Sequence, residues 1–179
     1  MTSEQLEQAL TLAETGDILV MQNETNMQAE MARRGRELGL RVCYAAAPFD
    51  ADAVQAVLPY LDVLFLNEVE AQQLQEATGK GPEQLGISDV IVTLGSKGAR
   101  HFHAESGETT DVSAHKVTAV DTTGAGDTFT GYVLSGLDRG LSMKQSLEQA
   151  NRAGALMVTR AGTADVIPDL KEVQDASFD

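Results

Sequence analysis

The sequence predicts an α/β fold: a mainly parallel sheet flanked by helices, with one short antiparallel hairpin. Three observations carry this. Short apolar runs at 18–21 and 63–66 alternate with stretches of helical period, the pattern of βα units. The segment 62–66 is apolar nearly throughout, as strands covered on both faces are. After Gly79 the texture shifts to two strand-like segments around Ser106-Gly107, a hairpin signal.

The elements follow in order. Thr2 and Gln5 read as a capping box, after which Leu6, Ala9, Leu10 and Ala13 recur at helical spacing. A strand is expected at 18–22. Asn26 then caps a helix whose Met27, Met31 and Leu38 lie on or near one face, and Gly39 ends it. A second strand at 42–44 leads to a short helix at 51–58, stopped by Pro59. The third strand, 62–66, feeds a helix at 68–78. A strand at 90–94 runs into Gly-Ser-Lys-Gly, and 99–103 and 109–112 form the hairpin. A further strand near 117–120 leads into Asp-Thr-Thr-Gly-Ala-Gly-Asp, and helices at 127–137 and 142–158 precede a polar tail. No composition break marks a linker, and neither repeats nor low-complexity tracts are present, so residues 1–179 read as a single α/β domain.

Composition limits the partners. The 179 residues carry 27 acidic and 13 basic side chains, a net charge of −14, which repels phosphate backbones and anionic lipid surfaces. Three tyrosines, five phenylalanines and no tryptophan leave little for base-stacking platforms. Nucleic acid and membrane partners are therefore not expected, and no apolar run approaches the roughly 20 residues of a bilayer crossing. The first residues are acidic where an export signal would be basic and then apolar. A single cysteine, Cys43, can form neither an internal bridge nor a zinc cluster and reads as an inert core thiol. These features predict a cytoplasmic protein. His101 and His103 share one face of a strand, but with no third ligand in view they read as hairpin decoration. The methionines read as core filler.

The most informative segment is 121–131, Asp-Thr-Thr-Gly-Ala-Gly-Asp-Thr-Phe-Thr-Gly. Gly124, Ala125 and Gly126 stand directly before an apolar helix, where backbone amides can converge on an anion without bulky side chains in the way. Asp127 lies at the same mouth and could accept a proton from a substrate hydroxyl while those amides hold a phosphoryl group. Helix capping alone would also account for Asp127. Phe129 stands where a dinucleotide fingerprint needs its third glycine, and no Gly-Lys-Ser/Thr triplet closes a P-loop.

Asp-Thr-Thr-Gly-Ala-Gly-Asp-Thr-Phe closely resembles the C-terminal signature of PfkB-type carbohydrate kinases, the ribokinase-like family. Asn-Glu-Val-Glu at 67–70 is similar to that family's N-x-x-E element, and Thr-Leu-Gly-Ser-Lys-Gly at 93–98 to its nucleotide-binding loop. Residues 151–168 resemble the family's closing helix and loop, so the likeness runs from about Asp17 to Pro168 with four motifs in order. It implies a ribokinase-like fold, of which this chain matches the C-terminal, nucleotide-binding portion. It also implies ATP and Mg2+ as cofactors and a sugar or nucleoside-like alcohol as acceptor. By the same likeness Asp127 is the catalytic base and the amides of Gly124, Ala125 and Gly126 hold the transferring phosphoryl group. Asn67 and Glu70 help place magnesium through phosphates or water, although capping the helix that starts there would explain them too. Thr93, Gly95, Ser96, Lys97 and Gly98 meet the nucleotide, with Lys97 equally readable as a solvated loop lysine, and Asn151 borders the adenine.

The likeness further places a monovalent cation, potassium, among Asp121, Thr123 and the backbone carbonyls of Met157, Arg160 and Gly162. Glu24 aligns with an acidic residue that touches sugar in ribokinases. Val166 stands where many relatives have a serine in the cation loop, and Ala45-Ala46-Ala47-Pro48 where ribokinases have Asn-Pro-Ala-Pro. The family's N-terminal substrate-binding half and its β-sheet lid have no counterpart in this sequence. Two functions are thus expected in parallel: an ATP-dependent carbohydrate kinase, incomplete in this chain, or a nucleotide-binding or scaffold fragment with no sugar kinase activity of its own. Loss of leading strands would bare a sheet edge and favour a homo-oligomer.

Overall fold

The computed structural model describes residues 1–178. Six strands are hydrogen-bonded in chain order: β1 (Ile18–Gln22), β2 (Arg41–Ala45), β3 (Val63–Asn67), β4 (Asp89–Thr93), β5 (Ala99–His103) and β6 (Thr109–Val112). β1 pairs with β2, and β2 with β3, in parallel, with Ile18 opposite Arg41 and Cys43 opposite Val63. β4 to β6 form the antiparallel excursion, turned first through residues 94–98, where Leu94 N–H donates to the Gly98 carbonyl. The second turn is closed by His103 N–H donating to Glu108 O and Gly107 N–H donating to His103 O. The helices are α1 (Ser3–Leu10), α2 (Gln28–Glu37), α3 (Ala51–Val57), α4 (Glu68–Thr78), α5 (Ala125–Asp138), α6 (Met143–Met157) and α7 (Leu170–Asp175). By contact density the chain forms two compact units, Met1–Val92 with His101–Thr109, and Thr93–Arg100 with Thr110–Asp179.

In the first unit α1 and α2 pack on one side of β1 and β2. Leu6, Leu10 and Leu40 form a buried cluster against which Leu19, Met27 and Met31 lie. Gly35 makes this approach possible, because a Cβ there would stand 2.6 Å from the Leu19 side chain. The Thr2/Gln5 capping box forms as predicted. Asn26 does not cap α2: its side chain bonds the amino and carbonyl groups of Met1, and Met27 takes the cap position at φ 65°. The loop entering α2 is held instead by a polar network. The Tyr44 hydroxyl donates to Gln28 Oε1 (2.9 Å), and Gln28 Nε2 donates to Asn23 Oδ1 and to the Thr25 carbonyl. Cys43 is fully buried, and burial pushes its thiol up to about 12.

In the second unit α5 packs along α6, most closely where Gly136 meets Ser146; a Cβ on Gly136 would lie 2.6 Å from Ser146 Oγ. Ser142 caps α6 with Gln145 in a reciprocal box. The strand expected at 117–120 does not form. Residues 113–119 run without a ladder, and the amides of Val120 and Asp121 both donate to the Val158 carbonyl at the end of α6 (2.7 and 3.2 Å). Local β propensity is overruled there by the chance to satisfy a helix C-terminus. The polar tail contains the short helix α7, opened by an Asp169/Glu172 capping box. Among the described residues no helix is long and apolar enough to cross a membrane.

Candidate active site

α5 begins where its sequence requires. Gly124, at φ 76°, supplies the left-handed residue ahead of the first turn, and the helix carries Asp127 in that turn. Behind the turn sits Met157. Its Sδ accepts from the Thr128 hydroxyl, and its Cε would be 2.9 Å from a Cβ on Gly124, so a side chain there would push the methionine end aside as well as strain the left-handed backbone. The turn does not leave all three of its small residues with open amides, as the sequence had suggested. Ala125 N–H donates to the Thr122 carbonyl (3.2 Å), whereas the amides of Gly124 and Gly126 have no protein acceptor among the described residues. A Cβ on Gly126 would meet nothing within 4 Å, so no neighbour crowds the backbone on that side. Two open amides at a helix start, beside an exposed carboxylate, make a place for an anion and a proton acceptor.

Next to this helix start lies a cavity of about 450 Å³ within the same unit. Of the residues singled out by sequence it gathers Thr93, Gly95, Ser96, Gly98, Ala125, Gly126 and Asn151. Gly98 is required by its surroundings: at φ 109°, a Cβ there would fall 2.0 Å from the Val112 carbonyl oxygen. Asn151 is buried in α6, and its amide nitrogen donates to the carbonyls of Val112 and Ser113 (3.1 and 3.3 Å). That fixes its orientation and leaves Oδ1 as the acceptor available to a ligand. Lys97 is exposed in the turn between β4 and β5 and is not in the cavity wall. His115, Lys116, Val117 and Phe129 also line the cavity. His115 gave no signal in the sequence, since it lies in a segment without periodic pattern.

The 121–123 loop is internally satisfied. Thr123 N–H donates to Asp121 Oδ1 (2.9 Å). That bond, the Thr123 hydroxyl and the Gly162 amide together hold the Asp121 carboxyl below its usual range. The Met157 carbonyl accepts from Arg160 N–H (3.0 Å), and the Arg160 guanidinium donates to the Val166 carbonyl (3.2 Å).

In the first unit, Asn67 and Glu70 form a reciprocal capping box at the start of α4. Asn67 Oδ1 accepts from Glu70 N–H (2.8 Å), and Glu70 Oε2 accepts from Asn67 N–H (2.7 Å). Burial raises the Glu70 carboxyl, and the backbone bond from Asn67 offsets only part of that. Glu24 is exposed in the loop that Asn23 and Gln28 brace. His101, read from sequence as decoration, is buried, and its Nε2 bonds Asp89 Oδ1 at 2.7 Å. Among the described residues no group of three or more His, Cys, Asp or Glu side chains is placed to hold a metal.

Comparison with known proteins decides the family. The family model described as pfkB family carbohydrate kinase matches residues 2–170. The chain belongs to that family. It is 33% identical over 166 residues to a ribokinase of Lactococcus lactis, covering 88% of this chain and 52% of that protein. It is 51% identical over 89 residues to a ribokinase of Schizosaccharomyces pombe, covering 50% of this chain and 27% of that protein. Among solved structures, Arabidopsis thaliana ribokinase complexed with ribose and ATP superimposes with a TM-score of 0.80 at 28% identity, over 97% of this chain and 58% of that one. The fold is thus the ribokinase-like α/β fold of the pfkB family, and the glycine turn and cavity described above lie within the stretch the family model covers. The chain spans about half the length of most of the curated relatives it matches.

Proposed function

We propose that this chain serves ATP-dependent phosphoryl transfer to a hydroxyl of a sugar or sugar-like alcohol, and that it supplies the nucleotide-binding part of that activity. The observation that carries the reading is the cavity of about 450 Å³ beside the α5 turn with its two open amides and its carboxylate. The cavity wall combines small and apolar residues with the His115 ring and an oriented amide, Asn151, which suits a flat heterocycle carrying an amino group. Adenine has one. The Arabidopsis ribokinase structure, with ribose and ATP, supports the same ligand class.

In the reaction so proposed, Asp127 takes the proton from the attacking hydroxyl. The amides of Gly124 and Gly126, pre-set by the turn, stabilise charge on the transferring group. Asn67 and Glu70 offer hard oxygen donors that suit Mg2+, which when bound supplies charge neutralisation on the phosphates. A monovalent cation is proposed, more narrowly, for Asp121, Thr123 and the carbonyls of Met157, Arg160 and Gly162, with Glu24 as a sugar contact. An acidic surface and one buried thiol support a cytoplasmic location without nucleic acid or membrane partners.

Calorimetric titration with ATP and Mg2+ tests the nucleotide reading: saturable heat at or below millimolar ATP is expected, and none would reject it. ADP release over a panel of sugars and nucleosides tests the transfer. Where turnover is found, Asp127→Asn should lower it about 10²-fold or more with ATP binding retained, and unaltered turnover would remove Asp127 from the role. The share of its relatives that this chain spans favours a second reading, a nucleotide-binding fragment without sugar kinase activity of its own. ATP heat with no acceptor-dependent ADP release is its signature.

A further inference from the structure

The wall of the cavity contains a ring that is held from behind. His115 sits in the stretch 113–119, which has no ladder to steady it. Its imidazole nevertheless stacks on Phe178, with centroids 4.0 Å apart and planes 19° apart. Phe178 is itself covered by the Arg152 guanidinium, 5.4 Å from its ring centre. Arg152, on α6, spends its fork on backbone oxygens that follow or end α7: Nε donates to the Val173 carbonyl (3.0 Å), and Nη2 to those of Ala176 (2.6 Å) and Gln174 (3.4 Å).

The segment carrying Phe178 is tied down at other points as well. Val173 is buried, Arg160 pairs with Glu172 (2.8 Å), and the Tyr132 hydroxyl donates to the Pro168 carbonyl. An aromatic ring delivered on so many anchors to the back of a cavity-lining imidazole is more than surface filling. Burial, with the Arg152 charge beside it, also lowers the His115 pKa.

We propose that Phe178, clamped by Arg152, is a positioning residue that fixes the His115 ring in the cavity wall so that a nucleobase meets a rigid flat surface; this rests on the nucleotide reading above. The contact concerns the base and not the phosphates, which separates it from a general effect on folding. The test uses the full chain and calorimetry with two ligands, ATP with Mg2+ and inorganic tripolyphosphate with Mg2+. Phe178→Leu keeps bulk and loses the aromatic face. It should weaken ATP about three- to tenfold and leave tripolyphosphate within about twofold. Phe178→Tyr should restore ATP affinity, and His115→Ala should cost as much as Phe178→Leu with no further loss when the two are combined. The His115 ring-proton resonances should shift in Phe178→Leu and stay in Phe178→Tyr. Undiminished ATP binding by Phe178→Leu, or equal loss of both ligands, would overturn the positioning role while leaving the nucleotide reading intact. A wild-type chain that binds neither ligand would reject both.

Discussion

Asp89, the first residue of β4, bonds two side chains. Its Oδ1 accepts from His101 Nε2 at 2.7 Å and its Oδ2 from Arg41 Nη2 at 3.2 Å, with its side chain 12% exposed. Burial alone would raise the Asp89 carboxyl. The bond to His101, with the charges of His101 and Arg41, outweighs burial and keeps it below its ordinary value of 3.8. A carboxyl depressed in the folded state stabilises the fold above the unfolded pKa, and that contribution disappears as pH falls through the folded one. Asp89→Asn should therefore cost about 1.5–3 kcal/mol near neutral pH in urea unfolding. The gap between wild type and variant should close as the titration is repeated from about pH 6 down to about pH 3. A gap independent of pH would show that packing and not charge makes the difference. Sequence placed His101 on a strand face, but burial is decided by what covers that face, and Asp89 lies twelve positions away on another strand. A tertiary pair of that kind leaves no local periodicity to read.

At the scale of elements, legibility followed locality. The α4 and hairpin bounds agree with the expected ones, because a capping box and a short turn carrying Ser106-Gly107 write their signals within a few residues. The Gly-Ala-Gly-Asp turn was legible for the same reason. Which of its amides stay open was not, since that depends on whether the Thr122 carbonyl folds back onto Ala125. The missing strand at 117–120 is the converse, a segment whose state is set by a helix end elsewhere in the fold; α7 carries a local Asp169/Glu172 capping box and is fastened from a distance by Arg152. Gly98 joins both scales. The family resemblance places it in a nucleotide-binding loop, and its φ of 109° and the 2.0 Å approach of the Val112 carbonyl also make it a steric requirement of the cavity wall. Gly98→Ala should destabilise the chain by about 2–4 kcal/mol in chemical unfolding. Gly95→Ala, with nothing within 4 Å of its Cβ, should cost only the left-handed backbone, about 1 kcal/mol. Equal costs at the two glycines would contradict the crowding at Gly98.

At the scale of the molecule, β1 is the first strand of the sheet order, and among the described residues nothing pairs with its other edge. An edge of this kind offers backbone donors and acceptors to another strand along Ile18 to Met21. Val20, in its middle, is 50% exposed, and Leu12, ahead of it, is 86% exposed. Neither a proline nor a charged residue interrupts Ile18–Gln22, so the usual safeguards of an edge are missing. The homo-oligomer expected from the sequence is accordingly proposed to form through this edge, with β1 of one copy lying along β1 of another. Val20→Lys places a charge in the middle of the edge strand and should shift the mass distribution towards monomer in light scattering at tens of micromolar protein. It should leave the thermal midpoint nearly unchanged, because Val20 is not part of the core. A wild-type chain monomeric at every concentration would refute the association. An oligomer indifferent to Val20→Lys would move the interface away from β1.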